Sequence, residues 1–200
     1  MSDSFTSDVG LLTPSRLTHS KESPTCHPGS NAAKGESAYT PSVALIAAMG
    51  AALHYIAGQA ATPEKPEGDL IEGRKKLVDN AETCAAMTRA AATAMGLKLF
   101  APVGYEAAAA TAIVAPPGTD SGVIVKGLRS QFAAIVTDGQ GEMKGSLFRI
   151  AHIGFFDYMD TIAIIGALEQ VIHKTKLPLP NFTFGKGLIA AQTFFAEHTK

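Results

Sequence analysis

Apolar and polar residues alternate along this chain with periods that change from segment to segment. Met1 to Asn31 mixes Ser, Thr, Pro and His with neither a helical nor a strand period, and it reads as a disordered or loosely attached segment. Thr40-Pro41 then opens a helix expected to run to about Ala57, with Gly58 as its stop. A hydroxyl at the N-cap followed by proline at the first helical position is a start signal, because proline lacks only an N–H that has no helical partner there. A proline-containing link from Thr62 to Gly68 leads into a second, longer helix from about Asp69 to Met95, with Gly96 as its C-cap.

Beyond Gly96 the pattern shortens. Leu97–Phe100 and Thr111–Ala115 read as strands, and Pro116-Pro117-Gly118 is a sharp break. Asp120 or Thr119 caps a third helix through Phe132. Ala133–Thr137 and Leu147–Ile153 read as two strands of a hairpin joined by the glycine-rich turn Asp138 to Gly145. Asp157 caps a fourth helix with Asp160 at its N3 position, and Ile162, Ile165, Leu168 and Ile172 form one apolar face. Pro178 and Pro180 end that helix, and Gly185–His198 forms a short last one with Leu188, Ala191, Gln192 and Phe195 on one side. Helices and strands are grouped rather than strictly alternating. The expected class is therefore α+β: a small, mostly antiparallel sheet of three to four strands with helices on one face, preceded by a long helix pair.

Composition narrows the function classes. An apolar fraction of 46% is enough to build a core, and 17 basic residues against 18 acidic ones leave a net charge of −1. With no block of Lys or Arg, nucleic acid and anionic membrane are not expected partners. From Ser37 to Pro63 no residue carries a formal charge, but the dense apolar part, Val43 to Leu53, is short and mostly alanine, which fits a buried helix and not a bilayer span. Cys26 and Cys84 suggest free thiols in a reducing compartment, the scattered histidines suggest no metal site, and the chain is expected to be cytoplasmic.

One residue stands out chemically. In Phe148-Arg149-Ile150, strand alternation puts Phe148 and Ile150 on one face and Arg149 on the other. A guanidinium that has lost part of its hydration wants a carboxylate or phosphate, and two readings follow: a structural ion pair with an acidic side chain of the protein, or a ligand-binding arginine. His152, two residues beyond Ile150, reads as a satisfied core or interface histidine rather than a general base.

Several pieces occur in an order that resembles one enzyme family. They are Tyr39-Thr40-Pro41-Ser42 before a small-residue helix, Gly96-Leu97-Lys98-Leu99-Phe100, Pro117-Gly118-Thr119-Asp120 before a helix, Gly139-Gln140-Gly141-Glu142-Met143-Lys144-Gly145, and Phe148-Arg149-Ile150-Ala151-His152-Ile153-Gly154. From Lys34 to about Ile172 the chain resembles the C-terminal small domain of class V, fold-type-I aminotransferases of the alanine–glyoxylate and serine–glyoxylate kind, which depend on pyridoxal phosphate. The resemblance implies that Arg149 holds the α-carboxylate of a small amino-acid or 2-oxo-acid substrate. It also implies that Thr40 is a ligand of the cofactor phosphate, beside the plain reading of Thr40 as an N-cap.

The family's cofactor-bearing lysine lies in a large domain upstream of the Thr-Pro helix. Lys21 and Lys34 are the lysines before Thr40 here, and neither sits in a matching context. Residues 1–31 match nothing in the family, and residues 32–200 correspond to its small domain. The expectation is a small domain that associates with a large domain, or forms a homodimer, and is inactive alone. A non-catalytic α+β module that binds partners, or a truncated or split gene product, is the alternative.

Overall fold

The computed structural model describes residues 42–199, so the expectations for residues 1–31 and for Thr40 lie outside it. The chain divides into two compact units, Met1–Gly50 and Ala51–Lys200. Helix α1, Val43–Gly58, crosses that boundary, and every other element belongs to the second unit.

In the second unit, α2 spans Leu70–Ala94, β1 Lys98–Leu99, β2 Ala110–Val114 and α3 Ser121–Phe132. Then follow β3 Thr137–Asp138, a 3₁₀ turn at Gly141–Met143, β4 Leu147–Ala151, α4 Tyr158–Thr175 and α5 Lys186–His198. The sheet order is β1-β2-β4-β3, and every neighbouring pair is antiparallel. This is the expected α+β architecture.

Side chains set the helix ends. Asp69 is extended and its carboxylate accepts from the N–H groups of Ile71 and Glu72, which starts α2. That helix closes on Met95, with Gly96 after it at φ 81. Asp120, not Thr119, caps α3 by accepting from Gly122 N–H at 2.6 Å. Asp157 and Asp160 form a reciprocal capping box at the start of α4, as their spacing predicts.

Three strands are shorter than the sequence suggests: Leu97–Phe100 reduces to Lys98–Leu99, Leu147–Ile153 to Leu147–Ala151, and Ala133–Thr137 to Thr137–Asp138. The last has a clear cause. Ala133 adopts a left-handed conformation at φ 53, and the N–H groups of Ala133 and Ala134 bond to the carbonyls of Arg129 and Leu128. Those residues finish α3 and cannot also pair in a sheet.

The core forms where one sheet face meets the helices. Ile113, Phe148 and Ile150 are buried together with Met87 and Met95 of the α2 region, Ile124 and Leu128 of α3, and Ile165, Leu168 and Ile172 of α4. Ile162 is only partly buried, and Gln192 on α5 is exposed while Ala191 is fully buried.

Glu169 is a fully buried carboxylate on α4. Gly185, at the start of α5, has no side chain to cap the helix, and Glu169 does the work from outside. Its oxygens accept from Gly185 N–H at 3.0 Å and Gly187 N–H at 2.7 Å. Two orphan donors are thereby satisfied, and a negative charge meets the positive end of the helix dipole. Glu169→Gln is expected to lower the unfolding free energy by about 1–3 kcal/mol, because one amide NH₂ then faces a buried donor. Urea unfolding of the variant checks this, and an unchanged midpoint would show that α5 docks without the carboxylate.

Candidate functional site

Arg149 lies at the centre of β4, in register with Ala112 of β2 and Thr137 of β3. Its neighbours Phe148 and Ile150 are 0% and 2% exposed and sit in the core, so the alternation turns Arg149 to the face away from the helices. That is the orientation expected from the sequence. The partner of Arg149 directly across on β2 is Ala112, which carries no group able to bond to the guanidinium.

The guanidinium is half-buried and, among the described residues, carries a single hydrogen bond, from Nη2 to the carbonyl oxygen of Asp138 at 3.2 Å. Its Nε is buried without a partner. The one salt bridge among the described residues joins Lys65 to Asp69, so no described carboxylate neutralises Arg149. The reading of Arg149 as a structural ion pair is therefore not supported within residues 42–199. A partly desolvated cation with a donor to spare gains from any carboxylate brought to it.

The turn that delivers β4 to the sheet is anchored at both ends to the first residue of α3. Ser121, which is fully buried, donates from its hydroxyl to Asp138 Oδ1 at 2.5 Å and from its backbone N–H to the carbonyl of Gly145 at 2.9 Å. Asp138 Oδ1 also accepts from Gly139 N–H at 2.9 Å. The Ser121 hydroxyl is the main cause that holds the Asp138 carboxyl below its ordinary range. Gly139 is required for close approach, since a Cβ there would stand 1.9 Å from the carbonyl oxygen of Met143.

His152 follows β4 and is 1% exposed. Its Nε2 is 2.9 Å from Thr111 Oγ1, while Nδ1 is buried without a partner, and its ring meets Phe156 edge-on. Burial, and then the nearby Arg89 charge, push its pKa down to about 4. His152 is thus a buried residue, as the sequence suggests, but among the described residues only one of its ring nitrogens finds a partner.

Sequence reasoning missed Ser121, Asp138 and Glu169. Glu169 left a signal: it falls in the stripe formed by Ile162, Ile165 and Ile172, where a carboxylate must find buried donors.

Two cavities, of about 800 and 550 Å³, are lined mainly by apolar side chains, and Arg149 lines neither. Every lysine among the described residues is solvent-exposed. No group of three or more His, Cys, Asp or Glu side chains placed to hold a metal occurs among the described residues. No helix among them is long and apolar enough to cross a membrane.

A pH prediction follows from His152. Its folded pKa lies below the ordinary 6.5, so the unfolded chain binds a proton that the folded chain refuses between pH 6.5 and about 4. The contribution of His152 is fully present above pH 6.5 and is lost on acidification through that window, on the order of 3 kcal/mol. Urea midpoints measured from pH 7 to pH 4 should fall, and should fall less steeply for His152→Gln. Parallel slopes for the two chains would contradict the assignment.

Similarity to known proteins places this geometry in a family. No family model matches the chain. It is 33% identical over 161 residues to a "soluble hydrogenase, small subunit" of Synechococcus sp., covering 80% of this chain and 38% of that protein. It is 30% identical over 163 residues to the L-aspartate–glyoxylate aminotransferase of Paracoccus denitrificans, covering 80% of this chain and 37% of the relative. Among solved structures, it matches the pyridoxamine–pyruvate aminotransferase of Mesorhizobium loti with a TM-score of 0.59 and 28% identity, over 64% of this chain and 32% of that one. The chain thus spans less than two fifths of the length of these relatives. Over about four fifths of its length, the homologues of this chain are class V aminotransferases.

Proposed function

We propose that this chain is the small domain of a pyridoxal-phosphate-dependent aminotransferase, and that Arg149 binds the α-carboxylate of the substrate. The observation that carries the reading is the half-buried guanidinium of Arg149, turned to the open sheet face with no described carboxylate against it. The reaction class is transfer of an amino group from a small amino acid, such as alanine or serine, to a 2-oxo acid such as glyoxylate.

Residues 32–200 form the small domain under this reading, and residues 1–31 lie outside the family's pattern. Arginine suits its task because its planar guanidinium makes two parallel hydrogen bonds to a carboxylate, which fixes rotation as well as position. The bond to be broken at Cα must stand perpendicular to the cofactor ring, so holding the carboxylate at a fixed angle is where the binding energy acts. Ala112 pairs with Arg149 across the sheet, and its methyl group is the smallest side chain that could stand there short of glycine.

Pyridoxal phosphate, when bound, supplies the electron sink that makes loss of the Cα proton feasible. The described residues fit the substrate carboxylate but not that group, because no buried lysine is present to anchor it. Thr40 is the residue proposed to meet the cofactor phosphate. Large-domain residues, on a second polypeptide or elsewhere in a longer protein, supply the lysine in this reading, and the assembly works as a dimer in the cytoplasm.

The chain labelled with ¹⁵N at arginine is titrated with alanine or glyoxylate while the Arg149 Nε–Hε resonance is followed. A saturable shift of this resonance is expected, with the other arginine resonances left in place. Shifts confined to other arginines would contradict the carboxylate role. The 200-residue chain with pyridoxal phosphate, alanine and glyoxylate is expected to show no turnover, and turnover abolished by Arg149→Ala would overturn the claim that it is inactive alone.

A further inference from the structure

We infer that Ser121 and Asp138 are positioning residues for Arg149, acting as a latch that aims the guanidinium. The inference rests on the carboxylate role proposed for Arg149. An arginine side chain has four rotatable bonds and loses considerable freedom when it is fixed, so a binding arginine on an open face needs something to hold it. The sheet register brings Thr137 opposite Arg149, but the guanidinium bonds past it. The acceptor is the backbone carbonyl of Asp138, one residue further along β3.

A two-residue edge strand would be free to shift by itself. Ser121 prevents that. It is 0% exposed at the first position of α3, where Asp120 sets the helix start, and its hydroxyl holds the Asp138 carboxylate while its N–H holds Gly145. The turn between Asp138 and Gly145 is thereby tied at both ends to one helical residue. The chain of contacts runs from α3 through the Ser121 hydroxyl, the Asp138 side chain and the Asp138 carbonyl to Arg149 Nη2. Neither Ser121 nor Asp138 touches the substrate in this arrangement, and both work through the placement of Arg149.

The test reads the order of one side chain in the full chain. ¹⁵N relaxation of the Arg149 Nε–Hε group is expected to give an order parameter in the rigid range in the natural sequence. In Ser121→Ala and Asp138→Ala it should drop below about 0.6, the range of flexible groups. Ser121→Thr keeps a hydroxyl and Asp138→Asn keeps an acceptor oxygen, so both should retain the rigid value. Melting temperatures measured alongside separate a local release from a general loss of stability. An order parameter unchanged in both alanine variants, or lowered equally in the threonine and asparagine variants, overturns the latch.

The two readings fail separately. A rigid Arg149 that loosens in the alanine variants but ignores alanine and glyoxylate keeps the latch and removes the carboxylate role. An Arg149 that responds to those ligands equally in all variants does the reverse.

Discussion

Burial of Phe148 and Ile150 drives Arg149 to the far side of the sheet, because strand side chains alternate and two core residues flank the arginine. A slip of one residue in the pairing of β4 would place the guanidinium in the core among Ile165, Leu168 and Met87, at a cost no packed helix could offset. The register is held from both sides, by Ile113 against Phe148 on β2 and by Asp138 against Phe148 on β3. Core packing and placement of the charged group are thus a single constraint.

The consequences reach the rest of the second unit. Helices α2, α3 and α4 contribute to one hydrophobic cluster on the Phe148 face, and α5 is tied to α4 by the buried Glu169 carboxylate. The opposite face carries a partly dehydrated cation, with Ala112 across from it on β2. An electrostatic demand left open beside a satisfied core is the mark of a site that takes its partner from elsewhere. The proposed carboxylate ligand answers that demand, and the proposed cofactor lysine is sought outside the described residues, whose lysines are all exposed.

Much of this was legible in the chain. Asp157 and Asp160 announce their capping box by spacing alone, and the Phe148–Ile150 alternation by itself sets the direction of Arg149. Local signals failed where two elements competed for the same residues. Ala133 and Ala134 have the composition of a strand start, yet α3 uses their N–H groups to close its last turn. The Ser121–Asp138 bond joins residues 17 apart, and nothing in either local pattern pairs them. The absence of a described counter-ion for Arg149 was equally invisible, since it depends on where every acidic side chain ends up in three dimensions.

The central claim is that this chain holds the carboxylate-binding half of an aminotransferase site without the lysine that anchors the cofactor. The most direct measurement is to incubate the purified chain with pyridoxal phosphate, reduce it with borohydride, and map modified lysines by mass spectrometry. Sparse labelling spread over the exposed lysines is the predicted result. A single stoichiometric adduct on one lysine would contradict the account and show that this chain builds a cofactor site of its own.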